Sequence, residues 1–166
     1  SILEDLGKEA GGVECRGSLN ALYRANLHLR TASRVLVRLG AFHAAAFPEL
    51  RRKSSRLSWE EFLAPGQPVA LRVASHISRL YHQGAVAQRI VGAIADRLGQ
   101  SPPVRKLSES ENDDADSPQL ILVRLKDDQC TISVDSSGPL LHRRGYRLAT
   151  AKAPLRETVA AGMLLA

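Results

Sequence analysis

Cysteine is scarce in this 166-residue chain: Cys15 and Cys130 are the only two, and neither belongs to a CxxC pair or a His/Cys cluster. That excludes a disulfide framework and a structural zinc site, and it suits a reducing, cytoplasmic setting. Aromatic residues make up 4% of the chain, with a single Trp, so the core must be largely aliphatic. No apolar run approaches the roughly 18 residues of a membrane span, which excludes a transmembrane protein. The start, SILEDLGKEAGG, carries acids where a secretory signal needs a basic segment, and no apolar stretch follows. Catalytic signatures are missing as well, since there is no P-loop, GxSxG elbow, or Ser/His/Asp or Cys/His spacing. The pairs Glu60-Glu61, Asp113-Asp114 and Asp127-Asp128 are adjacent in sequence, and adjacent side chains diverge on a helix or strand. His76 and His82 have no third ligand nearby. No catalytic residue and no metal ligand is therefore assigned.

What the chain has is positive charge, unevenly spread. Residues 15–107 hold 15 Lys/Arg against 4 Asp/Glu, residues 108–135 hold 2 against 8, and the last 31 hold 5 against 1. A cationic body carrying an acidic loop is what a polyanion-binding surface would look like, because Lys and Arg neutralising phosphates supply sequence-independent nucleic-acid affinity. The competing reading is compositional. Arg accounts for 18 of the 23 cations beside 22 Ala, a bias that a genome rich in G and C also produces. Charge alone leaves the two level.

Periodicity places the elements. Residues 17–30 read as an amphipathic helix capped by Ser18, with Leu19, Leu22, Tyr23 and Leu27 at helical spacing. Residues 33–41 alternate as a half-buried strand, and residues 47–62 as two short helical pieces, before Pro65, Gly66 and Pro68 break the chain. A second strand is expected over 69–75. Residues 84–98 form the clearest helix, with Val86, Ile90, Ile94 and Leu98 four apart and Gly99 as terminator. Residues 100–118 are too polar to fold alone and read as a mobile acidic surface loop. A strand, a turn at Asp127-Asp128 and a second strand make a hairpin over 119–135. Pro154 at a first helical position opens a last helix at which the chain ends, suggesting a piece of a longer protein.

Two segments carry groups suited to RNA. The loop before the helix at 84 combines Ser75, His76, Ser78, Arg79, Tyr81 and His82, offering hydroxyls, a guanidinium and a stacking ring beside free helix N–H groups. The alternative is a capping loop with Tyr81 packed inward. His142, Arg143, Arg144, Tyr146 and Arg147 form a second basic cluster, which reads equally as a solvated linker.

LYRANLHLRTASRVLVRL from Leu22, ISVDSSG from Ile132, HRRGYR from His142 and KAPLRET from Lys152 together resemble the N-terminal half of bacterial THUMP-domain RNA methyltransferases. Enzymes of that family methylate guanine N2 in large-subunit ribosomal RNA, archaeal relatives act on tRNA, and older descriptions name them adenine-specific DNA methylases. The resemblance covers nearly the whole chain and implies an α+β fold. Residues 1–42 would be an N-terminal ferredoxin-like part. A THUMP domain of order helix, helix, strand, helix, strand, strand would occupy residues 43–137, its start as early as about residue 20. Residues 138–166 would link to a methyltransferase domain. The family begins with a strand ahead of the first helix. None is read here, where residues 3–7 read as continuous with that helix, so the first domain is expected to be trimmed. The S-adenosylmethionine glycine loop and the Asn-Pro-Pro-aromatic motif do not occur in these 166 residues.

The resemblance therefore implies an RNA-recognition module without its catalytic domain, holding structured RNA for an S-adenosylmethionine-dependent partner domain. Arg51, Arg52, Lys53, Arg56, Arg72 and Arg89 would join the loop and the basic cluster as RNA contacts. Pro154, Leu155, Arg156, Glu157 and Thr158 would lie towards the cofactor, with no cofactor held by the fragment itself. A protein-interaction scaffold that docks on the methyltransferase domain is the competing class, and DNA adenine methylation rests on the historical label alone.

Overall fold

The computed structural model describes residues 3–9, 11–107, 117–142 and 155–165. The acidic run 108–116, Arg143, Arg144, Tyr146 and Arg147 of the basic cluster, and Pro154 lie outside the described residues. The chain divides into two units, one formed by Ser1–Val35 with Pro139–Ala166 and the other by Leu36–Gly138.

In the first unit, β1 (Leu3–Glu9) and β2 (Gly12–Gly17) pair antiparallel, Lys8 opposite Val13, around Gly11 at φ +83°. Only a residue without Cβ adopts that angle freely. This hairpin corrects the expectation that no strand precedes the first helix. Every residue of β2 is exposed, so it lacks the apolar alternation by which a half-buried strand is recognised. Ser18 caps α1 (Leu19–His28), its hydroxyl accepting from the Ala21 N–H at 3.3 Å.

The second unit begins with β3 (Leu36–His43), which starts three residues later and ends two later than the alternation suggested. It lies between the two starts expected for the THUMP part, about residue 20 and residue 43, and pairs with the last strand of the second unit. There follow α2 (Phe47–Ser54), a 3-10 turn (Trp59–Glu61), β4 (Val69–His76), α3 (Gln83–Leu98), β5 (Gln119–Lys126) and β6 (Gln129–Asp135). The sheet order is β3-β6-β5-β4, with β4 parallel to β5 and the other pairs antiparallel. Asp127 and Asp128 close the β5–β6 hairpin with φ of 50° and 60°, the left-handed pair of a two-residue turn whose twist matches its strands.

Strand register sorts the side chains. Val69, Ile121, Val123, Leu125, Ile132 and Val134 fall on one face, and all are buried against α2, α3 and the 3-10 turn. From the helices come Leu50, Trp59, Val86, Ile90 and Ile94. Each such side chain contributes about 1.5–3 kcal/mol by leaving water. Trp59, fully buried, also donates its Nε1–H to the Ser54 carbonyl at 2.7 Å. Cys130 lies in the same core, and burial pushes its thiol up to about 12, while Cys15 is exposed.

Caps and close approaches set the ends and the helix pairing. Gly99, at φ +76°, stops α3, as its position after Leu98 suggested. At Gly92 a Cβ would lie 3.2 Å from the Arg51 guanidinium, so glycine leaves room for Arg51 to cross α3 and reach Asp96. The segment after α3 is not wholly loose, contrary to expectation for 100–118. Val69 N–H donates to the Pro103 carbonyl and Arg105 N–H to the Val69 carbonyl, both at 2.9 Å, so Val104 runs as a parallel bridge on the β4 edge. An unpaired edge recruited it, a long-range effect that composition does not reveal. Returning to the first unit, α4 (Glu157–Leu165) starts at Glu157 rather than Pro154. Val159 and Ala160 both donate to the Arg156 carbonyl at 3.0 Å, making Arg156 the residue from which the helix begins.

Ile90 is fully buried at the centre of this core. Ile90→Ala is expected to destabilise the second unit by about 2–5 kcal/mol, read as a lower urea midpoint in the fluorescence of Trp59.

Candidate nucleic-acid interface

Residues 77–82 carry the chain from β4 into α3, and their shape is imposed from the hairpin turn. One carboxylate oxygen of Asp128 accepts from the Ser78 hydroxyl and from the Arg79 N–H, each at 2.8 Å. The other lies 3.7 Å from the Arg79 Nε. Asp127 N–H donates to the His76 carbonyl at 3.3 Å, and Ala44 N–H to the Asp128 carbonyl at 2.8 Å, so the turn is tied to β3 and β4 alike. Leu80 is buried, and His82 caps α3 by accepting from the Ala85 N–H on Nδ1 at 3.2 Å. With Ser78 and Leu80 turned inward, the alternate positions point out. Ile77, at φ +47°, is 72% exposed, Tyr81 is 78% exposed, and the Arg79 side chain is 79% exposed.

This loop matches the capping alternative in one respect and departs from it in another. It is a capping loop, yet Tyr81 faces solvent rather than the core, leaving a ring available for stacking and a guanidinium beside it. Ser75 differs from expectation: it lies on the helix-facing side of β4, and its hydroxyl is buried without a partner among the described residues. Ser78 is committed to Asp128. His76 is exposed on the opposite face of the sheet.

The remaining expected contacts do not form one cluster. Arg51 forks onto Asp96 with two bonds of 2.7 Å, and Lys53 pairs with Glu49 at 2.7 Å while donating to the His43 carbonyl at 2.8 Å. Arg89 stacks over the Phe47 ring at 5.9 Å. Arg97, which the sequence did not single out, pairs with Glu60. Arg52 and Arg56 are exposed on this helix side, whereas Arg72 is exposed on the opposite side of the sheet. His142 is half-buried, its Nδ1 without a partner among the described residues. Asp128 was missed. The acid-acid dipeptide signals a turn, but nothing local indicates a bond to residues 49 and 50 positions away.

The THUMP domain family matches residues 44–135, and the description "RlmL ferredoxin-like domain" matches residues 3–36. The chain belongs to the THUMP family. Among its relatives, a protein of Methylococcus capsulatus named ribosomal RNA large subunit methyltransferase K/L is 37% identical over 98% of this chain. The chain spans 22% of that relative's length. A crystal structure from Listeria monocytogenes, described as a predicted N6-adenine-specific DNA methylase, superposes with a TM-score of 0.71 at 34% identity, covering 97% of this chain and 41% of that one. SMU.472, solved complexed with SAH, superposes at 0.70 with 30% identity, covering 98% and 42%.

In this THUMP chain the residues expected towards a cofactor lie at the start of α4. Leu155 and Arg156 are exposed and Glu157 and Thr158 half-buried, so these side chains alone do not enclose a cofactor. No helix among the described residues is long and apolar enough to cross a membrane.

Ion pairs and hydrogen bonds to the charged form hold several carboxyls low. The Arg79 N–H, then the Ser78 hydroxyl, lower Asp128. Arg51 lowers Asp96, and Arg97 holds Glu60 at about 2. A carboxyl lowered on folding stabilises above its ordinary range and loses that effect as pH falls through its folded value. The urea midpoint is therefore expected to hold above the ordinary carboxylate range and to decline as pH drops toward the Glu60 value of about 2. A flat acid limb would contradict these pairings. For the loop, Asp128→Ala is expected to speed hydrogen exchange at the Arg79 amide with the sheet protected as before. Asp128→Asn, which keeps an accepting oxygen and tolerates the left-handed turn, should restore the protection.

Proposed function

We propose that this chain is the RNA-binding, substrate-positioning module of an S-adenosylmethionine-dependent RNA methyltransferase that acts on guanine N2 of 23S ribosomal RNA. The observation that carries the proposal is the loop at 77–82 in a THUMP chain, clamped by Asp128 so that Arg79 and Tyr81 face outward. The name of the Methylococcus relative supports a ribosomal substrate, and the SAH held by SMU.472 supports the cofactor. The guanine-N2 assignment rests on the resemblance of the sequence motifs.

The physical logic is one of placement. A base inside folded RNA is out of reach of an active site, so a methyltransferase must grip the RNA by shape and backbone while the target nucleotide is flipped out. A loop fixed before the RNA arrives loses little conformational entropy on binding. Arg79 supplies a charge for phosphate and Tyr81 a face for a base. Methyl transfer belongs to the longer part of the protein that the relatives possess, and a cytoplasmic setting follows from a ribosomal substrate.

The test is a salt titration of the chain with labelled structured RNA, and with duplex DNA of equal length because the Listeria structure carries a DNA methylase description. RNA affinity is expected to exceed DNA affinity and to fall steeply with salt. Arg79→Ala should weaken binding across RNA sequences and reduce the salt slope by about 1. Equal affinity for DNA, or no RNA binding, would leave the scaffold reading in its place.

A further inference from the structure

We propose that the face of the four-stranded sheet turned away from α2 and α3 is the surface on which the RNA backbone lies. The proposal rests on the RNA-binding reading above and adds to it the location of the main electrostatic contact. Register places three rows of side chains on that face. Arg72, Leu122, Ser133 and Arg38 lie side by side across the strands. Next come Ala74, Arg124, Thr131 and Ala41, and then His76, Lys126, Gln129 and His43. Arg38, Arg72, Arg124 and Lys126 are all exposed. No acidic residue occurs in the three rows, and Asp135, the next acid along β6, is buried.

The helix side differs in that three of its cations are paired, while Arg52 and Arg56 are exposed there. There Arg51, Lys53 and Arg97 each face a carboxylate, on Asp96, Glu49 and Glu60 respectively. Their fields are largely cancelled at the distance of an approaching phosphate. On the sheet face, no described residue pairs with Arg72, Arg124 or Lys126. A ligand charge therefore meets those cations with no ion-pair partner among the described residues.

Shape agrees with charge. Neighbouring strands are about 4.8 Å apart and alternate residues along one strand about 6.6 Å apart, so the cations form a grid on the scale of successive phosphates. Between them stand alanines, a threonine and a serine, which let a bulky backbone approach the pleat. The third row adjoins the hairpin turn, where the Asp127 N–H bonds the His76 carbonyl. The face thus runs on into the loop that presents Arg79.

The experiment compares two charge reversals of equal size in the full chain, R124E/K126E on the sheet face and R52E/R56E on the helix side, by RNA affinity across a salt series. R124Q/K126Q serves as a milder pair, and circular dichroism checks folding. The expected result is that R124E/K126E weakens binding by about tenfold or more beyond the effect of R52E/R56E and lowers the salt slope by about 1–2, with R124Q/K126Q intermediate. If both reversals act equally, or only the helix-side pair acts, the sheet face is not the binding surface, although the RNA-binding reading stands. If the parent chain itself binds no RNA, both fall together.

Discussion

The second unit is governed by a shortage of cover: a sheet has two faces, and the helices of this unit pack on only one. Because side chains alternate along each strand, that single fact divides the chain into two sets with opposite requirements. Val69, Ile121, Val123, Leu125 and Ile132 must be apolar because they meet α3 and Trp59. Their neighbours one residue along are free to carry charge, and Arg72, Arg124 and Lys126 do so. A one-residue slip in β4 or β5 would exchange the sets, burying cations and exposing the core. The pattern that folds the sheet is thus the same pattern that arms its outer surface.

The hairpin turn extends this economy. Asp127 and Asp128 are required locally to reverse the chain, since few residues tolerate left-handed angles in succession. Once there, the Asp128 carboxylate is an acceptor at the end of a rigid ribbon, and the loop from β4 to α3 supplies a hydroxyl and a backbone N–H to it. One dipeptide therefore sets both the register of β5 on β6 and the conformation of the loop. A rigid ribbon thus holds the neighbouring loop through two hydrogen bonds to one carboxylate oxygen.

Much of this fold could be read from the chain because its elements repeat their signals. The four-residue spacing from Val86 to Leu98 with Gly99 behind it, and the alternation on both sides of Asp127-Asp128, are each redundant. The β1–β2 hairpin was hidden because its second strand is wholly exposed and has no buried face to mark. The bridge of Val104 to Val69 was hidden because strand edges recruit partners by proximity, not composition. The site was harder for the same reason. A count of cations cannot tell that Arg51 meets Asp96 from 45 residues away, nor that Ser75 points into the helix layer while His76 points out. Arg79 and Tyr81 were legible as residue types, but their exposure comes from the Asp128 contact.

The order of the sheet also bears on how the chain is made. β3 is synthesised first in the second unit and finds its only described strand partner in β6, synthesised last. The first unit is more divided still, its two pieces separated by the whole of Leu36–Gly138. At translation rates of about 5–20 residues per second, the opening piece waits on the order of 5–20 s for its complement to emerge. During that interval β3 is an unpaired strand, and such pairings between distant parts of a chain form slowly. Arg38 falls where a nascent β3 would otherwise be attractive to other chains, so the same charge that sits on the finished surface keeps the unfinished strand apart.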